Sequence, residues 1–201
     1  MTTVPTPQET QIPGYDFGSP GSAVSPLSES DLRHLEQTLG WTEEDERLLL
    51  KHADCFRLQA EAMVDSWRAV IGAQPHLVQW FLGPDERPDE VYKARVRSRF
   101  VQWVIDVARR PHDRAWLNYQ EEIGQRHTPQ KKNRTDARHT PPWVPLRFLL
   151  AFLPVVTEIR RFLEEAVPDP AELEAVERAW AKSVHLHVVL WSRPYTREGL
   201  W

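Results

Sequence analysis

The chain holds a single cysteine, Cys55, among its 201 residues. One cysteine excludes an intrachain disulfide and any metal site of the Cys-x-x-Cys kind, and it suits a reducing cytoplasm. No apolar run approaches the roughly 20 residues that span a bilayer. The longest, Phe148 to Val156, is short and carries Pro154, so no membrane span is expected. A basic excess is missing too. The formal net charge is −4, against the positive balance of a general nucleic-acid binder, and the arginines gather only locally, at Arg95, Arg97 and Arg99. Met1 to Glu9 has neither a basic start nor an apolar centre, so no signal peptide is expected. Strand-like alternation and any repeat period are also missing.

What is present is helical. The length suits one domain with a sizeable core. Nine tryptophans recur in helix-like segments and predict an aromatic-lined interior. Residues 1–27 contain Pro5, Pro7, Pro13, Pro20 and Pro26 and read as an extended arm. Ile12, Pro13, Gly14, Tyr15 and Phe17 give that arm apolar surface with which to dock on the domain formed by residues 28–201. Ser28 with Asp31 caps a short helix that Gly40 stops. Thr42-Glu43-Glu44-Asp45 starts a second, with acid in its first turn. Leu49, Ala53, Phe56, Ala60, Met63, Trp67 and Val70 then follow at helical spacing, predicting one long helix to about Gly72.

A short helix is expected over His76 to Leu82. Another runs from Pro88 to Arg109 with Tyr92, Val96, Phe100, Trp103 or Val104, and Val107 inward. Pro111 opens the next. Trp143 to Val167 reads as an apolar helix kinked at Pro154, and Ala171 to Trp191 as the last. The fold class is all-α, with seven or eight helices. Val184 to Trp191 is apolar on most sides, which predicts burial on most sides and a homodimer packed through the last two helices.

One stretch organises the rest. Trp116, Gln120, Ile123 and His127 are spaced by four, three and four residues, so they share a face of one helix. That face ends in an imidazole, just before the polar, proline-rich segment Thr128 to Pro142. A lone histidine on an apolar helical face is more often a core residue satisfied by one hydrogen bond. Three observations favour a haem ligand instead: the all-α domain of suitable size, aromatics on several helices, and the lack of any competing histidine cluster. His185 and His187 are two apart and point different ways on a helix. His34, His52, His76, His112 and His139 read as solvated.

Further stretches share an order and spacing. They are Ile12-Pro13-Gly14-Tyr15, Asp65-Ser66-Trp67, Gly72 with Pro75-His76-Leu77, and Val96-Arg97-Ser98-Arg99-Phe100. Then come Ala115-Trp116-Leu117-Asn118-Tyr119-Gln120, Glu122-Ile123-Gly124-Gln125-Arg126-His127, Lys131-Lys132-Asn133-Arg134-Thr135-Asp136 and Leu190-Trp191-Ser192-Arg193-Pro194-Tyr195. Together they resemble the protoglobins, single-domain relatives of the sensor globins, from about residue 12 to the end. The resemblance implies a globin fold with an additional N-terminal helix and an extended N-terminal arm, a homodimer, and one haem b almost buried by arm and loops.

Carried over by position, His127 is the proximal iron ligand, and the opposite side of the iron is open to O2, CO or NO. Trp67 and Phe100 fall at the family's distal positions and Phe152 at a third lining position. Tyr92 and Val96, with Trp116 and Ile123 on the face of His127, complete the expected pocket. Arg99 and the pair Lys131-Lys132 are the candidates to meet the haem propionates.

The Pro88–Arg109 helix holds no histidine, so bound O2 has no distal histidine there. Where related protoglobins have a tyrosine beside the distal tryptophan, this chain has Arg68, expected to turn outward to Asp65 one helical turn back. The leading expectation is reversible gas binding or sensing. With about ten residues beyond the last helix, no attached C-terminal signalling module is expected. An enzymatic alternative is detoxification of NO or peroxynitrite at the iron, separable by NO consumption of the ferrous-oxy form with and without a reductant. A third reading is a helical interaction protein without cofactor.

Overall fold

Reciprocal capping opens the helical body. In the computed structural model Ser28 Oγ accepts from Asp31 N and the Asp31 carboxylate accepts from Ser28 N, starting α1 (Glu29–Leu39). Gly40, at φ 64°, ends it in the left-handed conformation that glycine adopts at least cost. Thr42 and Asp45 repeat the box for α2 (Glu43–Lys51). The structure describes residues 12–197 and 199–201; the segment read for a signal peptide and residues 1–11 of the arm lie outside them.

The long helix expected from Thr42 to Gly72 is two helices. α2 stops at Lys51 and α3 (Ala53–Gly72) restarts after His52, whose ψ of 12° breaks the run. The cause is tertiary: His52 Nε2 lies 2.7 Å from Glu172 Oε1, and Lys51 pairs with the same carboxylate. The apolar spacing continues through the break, so sequence periodicity does not register it. Next come α4 (Pro75–Val78), a 3-10 turn (Gln79–Phe81), α5 (Glu90–Arg109) capped by Asp89, and α6 (Arg114–Arg126). Asp113, not Pro111, opens α6, because its carboxylate accepts from Trp116 N at 2.8 Å.

The single kinked helix expected over 143–167 is three short pieces: α7 (Leu146–Ala151), α8 (Leu153–Thr157) and α9 (Arg160–Leu163). Pro154 falls in the first turn of α8, where its missing N–H leaves no bond unmade. α10 (Pro170–Ser192) and a 3-10 turn (Arg193–Tyr195) finish the chain. Ten α-helices among the described residues exceed the seven or eight expected because both long helices fragment.

α10 is the central element, touching α1, α2, α5, α6, α7, α8 and α9. Its apolar stretch Val184, Leu186, Val188 and Leu190 is buried within one chain. The apolar character of Val184 to Trp191 is thus accounted for within one chain and does not by itself require a second copy. The main core joins α2, α3, α5, α8, α9 and α10, with Phe56 stacked on Trp180 at 4.9 Å. A smaller core gathers Leu32, Trp116, Leu117, Leu186 and Leu190 beneath Phe17 and Leu27 of the arm.

The described part of the arm is strapped to the body by charge-assisted bonds. Arg114 donates to the carbonyls of Ser25 and Leu27, and Arg126 to Gly14 O and Asp16. Glu122, buried on α6, accepts from Ala23 N at 2.8 Å and Arg126 Nε at 3.0 Å, and pairs with Lys131. Burial works to raise its pKa, but the bonds from Lys131, Ala23 and Arg126 outweigh it, and the net shift is downward. A depressed carboxylate stabilises the fold above its unfolded value and loses that contribution as pH falls through the folded one. Glu122→Gln should therefore cost about 2 kcal/mol at neutral pH. Denaturant midpoints should show the difference shrinking below the ordinary glutamate value of 4.5.

Candidate functional site

His127 is the residue on which α6 ends. Its Nδ1 lies 2.9 Å from Ile123 O, four residues back, so Nδ1 carries the proton and donates, leaving Nε2 with a free lone pair. Burial, the largest cause, holds the imidazole pKa down to about 4, and the ring is neutral at physiological pH. The backbone around it is pinned: Val144 N donates to His127 O at 2.8 Å. The Tyr195 hydroxyl lies 2.6 Å from Val144 O and 3.1 Å from His127 O. The indole of Trp191 stacks on the imidazole at 5.5 Å and 25°, and its Nε1 donates to the buried Gln120 at 2.9 Å.

This histidine faces a cavity of about 530 Å³, within the range of cofactor sites. The cavity lies between α3, α5, α6, α7, α8 and α10. Of the expected pocket residues, His127, Tyr92, Val96, Arg99, Phe100, Ile123 and Phe152 line it. Trp67 and Trp116 are not among the lining residues. Trp67 sits behind Phe100, ring to ring at 5.4 Å, fully buried and with its Nε1 lacking a hydrogen-bond partner. Trp116 belongs to the smaller core under the arm. It precedes His127 by three turns, about 16 Å along the axis, so a shared helical face does not mean a shared pocket.

Sequence reasoning missed much of the far wall. Val184, Val188 and Trp191 of α10 line the cavity, as do Trp103 and Phe148. The first three are spaced by four and three residues, so one face of α10 could have been read as the wall opposite α6.

The charged rim differs from expectation. Arg99 lines the cavity, but it is engaged bidentately with Asp136, at 2.7 and 2.9 Å, and with Pro13 O. Lys131 is held by Glu122. Lys132 stands apart. It is buried, lines the cavity, and donates only to uncharged oxygens: Trp80 O at 2.9 Å, Thr140 Oγ1 at 2.6 Å and Pro141 O at 2.7 Å. Burial lowers its pKa to about 8.

Arg68 also lines the cavity rather than turning fully outward. It is 3.9 Å from Asp65, whose carboxylate Arg97 grips twice at 2.7 Å. Two of the histidines read as solvated are largely buried and paired. His52 meets Glu172, while His112 meets Glu36 at 2.7 Å and stacks on Trp116. His34, His76 and His139 are exposed as expected.

The approach of α6 to α10 depends on Gly124. A Cβ there would lie 3.1 Å from Trp191 Cα and 3.1 Å from Pro194 Cγ. Gly124→Ala should push α10 away and lift Trp191 off the imidazole, costing about 1–3 kcal/mol. Thermal unfolding measures the loss.

An all-α body whose buried cavity is headed by a helix-terminal imidazole with a free Nε2 has the architecture of a globin. Residues 28–201 match the family model described as Protoglobin. The chain belongs to the protoglobin family. Among solved structures it is similar to the globin domain of the Geobacter sulfurreducens globin-coupled sensor, at 14% identity and a TM-score of 0.65, covering 83% of this chain and 98% of that one. At that identity the likeness shows the fold, the all-α globin fold. No curated protein sequence matches.

The family implies haem binding, and the residues present fit the group. A neutral imidazole with Nδ1 fixed and Nε2 free is the donor that haem iron takes. The cavity walls are mainly aromatic and aliphatic. Lys132 offers a buried positive charge that no carboxylate meets among the described residues.

Proposed function

We propose that this protein binds diatomic gases, O2, CO or NO, at a haem b whose iron is held by His127, for gas binding or sensing. One observation carries the reading: His127 Nδ1 is committed to Ile123 O while the ring faces the cavity. When bound, haem b supplies an iron with one side open to a small ligand. The chain's own residues do the rest. Ile123 O fixes the tautomer and Trp191 the ring plane. Phe100 and Val96 of α5, which line the cavity, would help to exclude water from it, and Lys132 would meet a carboxylate of the macrocycle. α5 contains no histidine, so no distal histidine from that helix would serve the bound gas.

Visible absorption spectra of the ferric, dithionite-reduced and CO-bound forms test this directly. A Soret band that sharpens and shifts with CO supports a five-coordinate haem. A folded, colourless protein that haemin does not reconstitute overturns it. The single free cysteine Cys55 supports a cytoplasmic setting, and among the described residues no helix is long and apolar enough to cross a membrane. The homodimer rests on the family and on Trp143 and Leu150, which are 44% and 48% exposed beside and on α7. Sedimentation at twice the chain mass is the expected result.

A further inference from the structure

His187 has no part in the pocket chemistry, yet it is buried at 1% exposure with Nδ1 lacking a partner. An unpaired buried polar group costs stability that an apolar side chain there would avoid. Its position suggests why it is tolerated. Trp191 stacks on His127 at 5.5 Å, and His187 stacks on Trp191 at 5.8 Å and 12°. Beyond it, Trp116 lies 5.2 Å from His187, His112 lies 4.1 Å from Trp116, and Trp41 lies 4.8 Å from His112. Each pair is in ring contact. The column runs from the candidate iron ligand, through the smaller core, to the partly exposed Trp41.

We infer that the column His127, Trp191, His187, Trp116, His112 and Trp41 conducts oxidising equivalents from the haem to the protein surface when peroxide reaches the iron. Reduction of one hydrogen peroxide to two waters takes two electrons and two protons. One electron would be lent by the haem and one by the Trp191 indole, the protons come from solvent, and the second water is released only when the haem is re-reduced. The Trp191 vacancy is filled from Trp116 across His187, and that of Trp116 from Trp41 across His112. Ascorbate, a one-electron donor in solution, then restores Trp41 and the iron.

Indole gives up an electron far more readily than imidazole, so the tryptophans hold the vacancy and the histidines bridge them. A neutral bridge does not repel a positive vacancy, and burial keeps His187 neutral by lowering its pKa. Trp191 Nε1 donates to the amide oxygen of Gln120. That oxygen is too weak a base to take the proton, so the oxidised indole keeps it and passes the vacancy on. Trp41, partly exposed, can give its proton to water.

The inference rests on haem being held at His127, and the test separates the two. The Soret band of each protein is recorded before peroxide is added; its absence in the parent overturns the haem reading itself. The ferric protein then receives one equivalent of hydrogen peroxide with the spin trap 2-methyl-2-nitrosopropane, and the adduct is located by peptide mass spectrometry. The adduct is expected on Trp41. Trp116→Phe and His187→Leu should each reduce it at least about tenfold and move it to Trp191 or Trp103, with the CO-bound Soret band unchanged. Trp41→Phe, altered only at the partly exposed end, should move it to Trp116. An undiminished Trp41 adduct in the two core variants would overturn the proposal. So would a parent adduct confined to Tyr15 or Tyr119, which also line the cavity.

Discussion

His127→Gly is expected to lower haem affinity by about 100-fold or more, because loss of a hydrogen-bond partner to a metal ligand alone costs about 10–100-fold. External imidazole should restore it. The glycine leaves a slot of imidazole shape: Trp191 forms one wall at 25° to the lost ring, and Ile123 O remains to accept the N–H at the far end. Tyr195 and Val144 bond to backbone atoms of residue 127, so the end of α6 keeps its place. The measurement is a haem titration by Soret absorbance, without and with millimolar imidazole. Recovery of the parent's reduced and CO spectra identifies His127 as the iron's protein ligand. A variant that binds haem as tightly as the parent, with the same spectra, would falsify that assignment.

That His127 and Ile123 share the face turned to the cavity was legible in sequence because helical spacing is short-range information. Ile123 and His127 are one turn apart, and the same spacing that put them on one face placed Ile123 O under Nδ1. The same reasoning over-reached with Trp116, since periodicity fixes a direction around a helix and says nothing of distance along it. Trp67 was carried to the pocket by family position. Its ring neighbours Phe100 and Trp103 on α5 line the cavity in its place.

The fold was legible to the same degree. Side-chain caps at Ser28 and Thr42 are written within four residues, and the structure uses both. The break at His52 is written in Glu172, 120 positions away, and no local pattern carries it. The burial of α10 is a related case. An apolar stretch states how much surface must be covered, and only the packing shows that the other helices of the same chain cover it.

Lys132 leads to the second large effect. The ordinary lysine value of 10.5 falls to about 8 in the fold, with burial the cause. At 1.36 kcal/mol per unit, keeping this side chain charged costs the haem-free fold about 3 kcal/mol below pH 8. The unfolded chain binds the extra proton between pH 8 and 10.5, so this group makes stability rise with pH across that window. Lys132→Met removes the dependence. It also leaves Trp80 O, Thr140 Oγ1 and Pro141 O without their donor, a constant cost of about 1–3 kcal/mol.

The difference in unfolding free energy between parent and variant should therefore change by up to about 3 kcal/mol from pH 7.5 to 10, moving in the parent's favour as pH rises. The buried tyrosines, whose pKa values are raised, pull the other way above pH 10, and Tyr92, whose ring lies 4.9 Å from Lys132 Nζ, is why the comparison stops there. Haem loading should shift the difference toward the parent at neutral pH. A propionate would supply the carboxylate that Lys132 lacks, so the parent gains more from haemin than the variant does. Urea unfolding with and without haemin measures both parts. A flat pH difference would show that Lys132 is not perturbed, and equal gains from haemin would show that it does not meet the propionate.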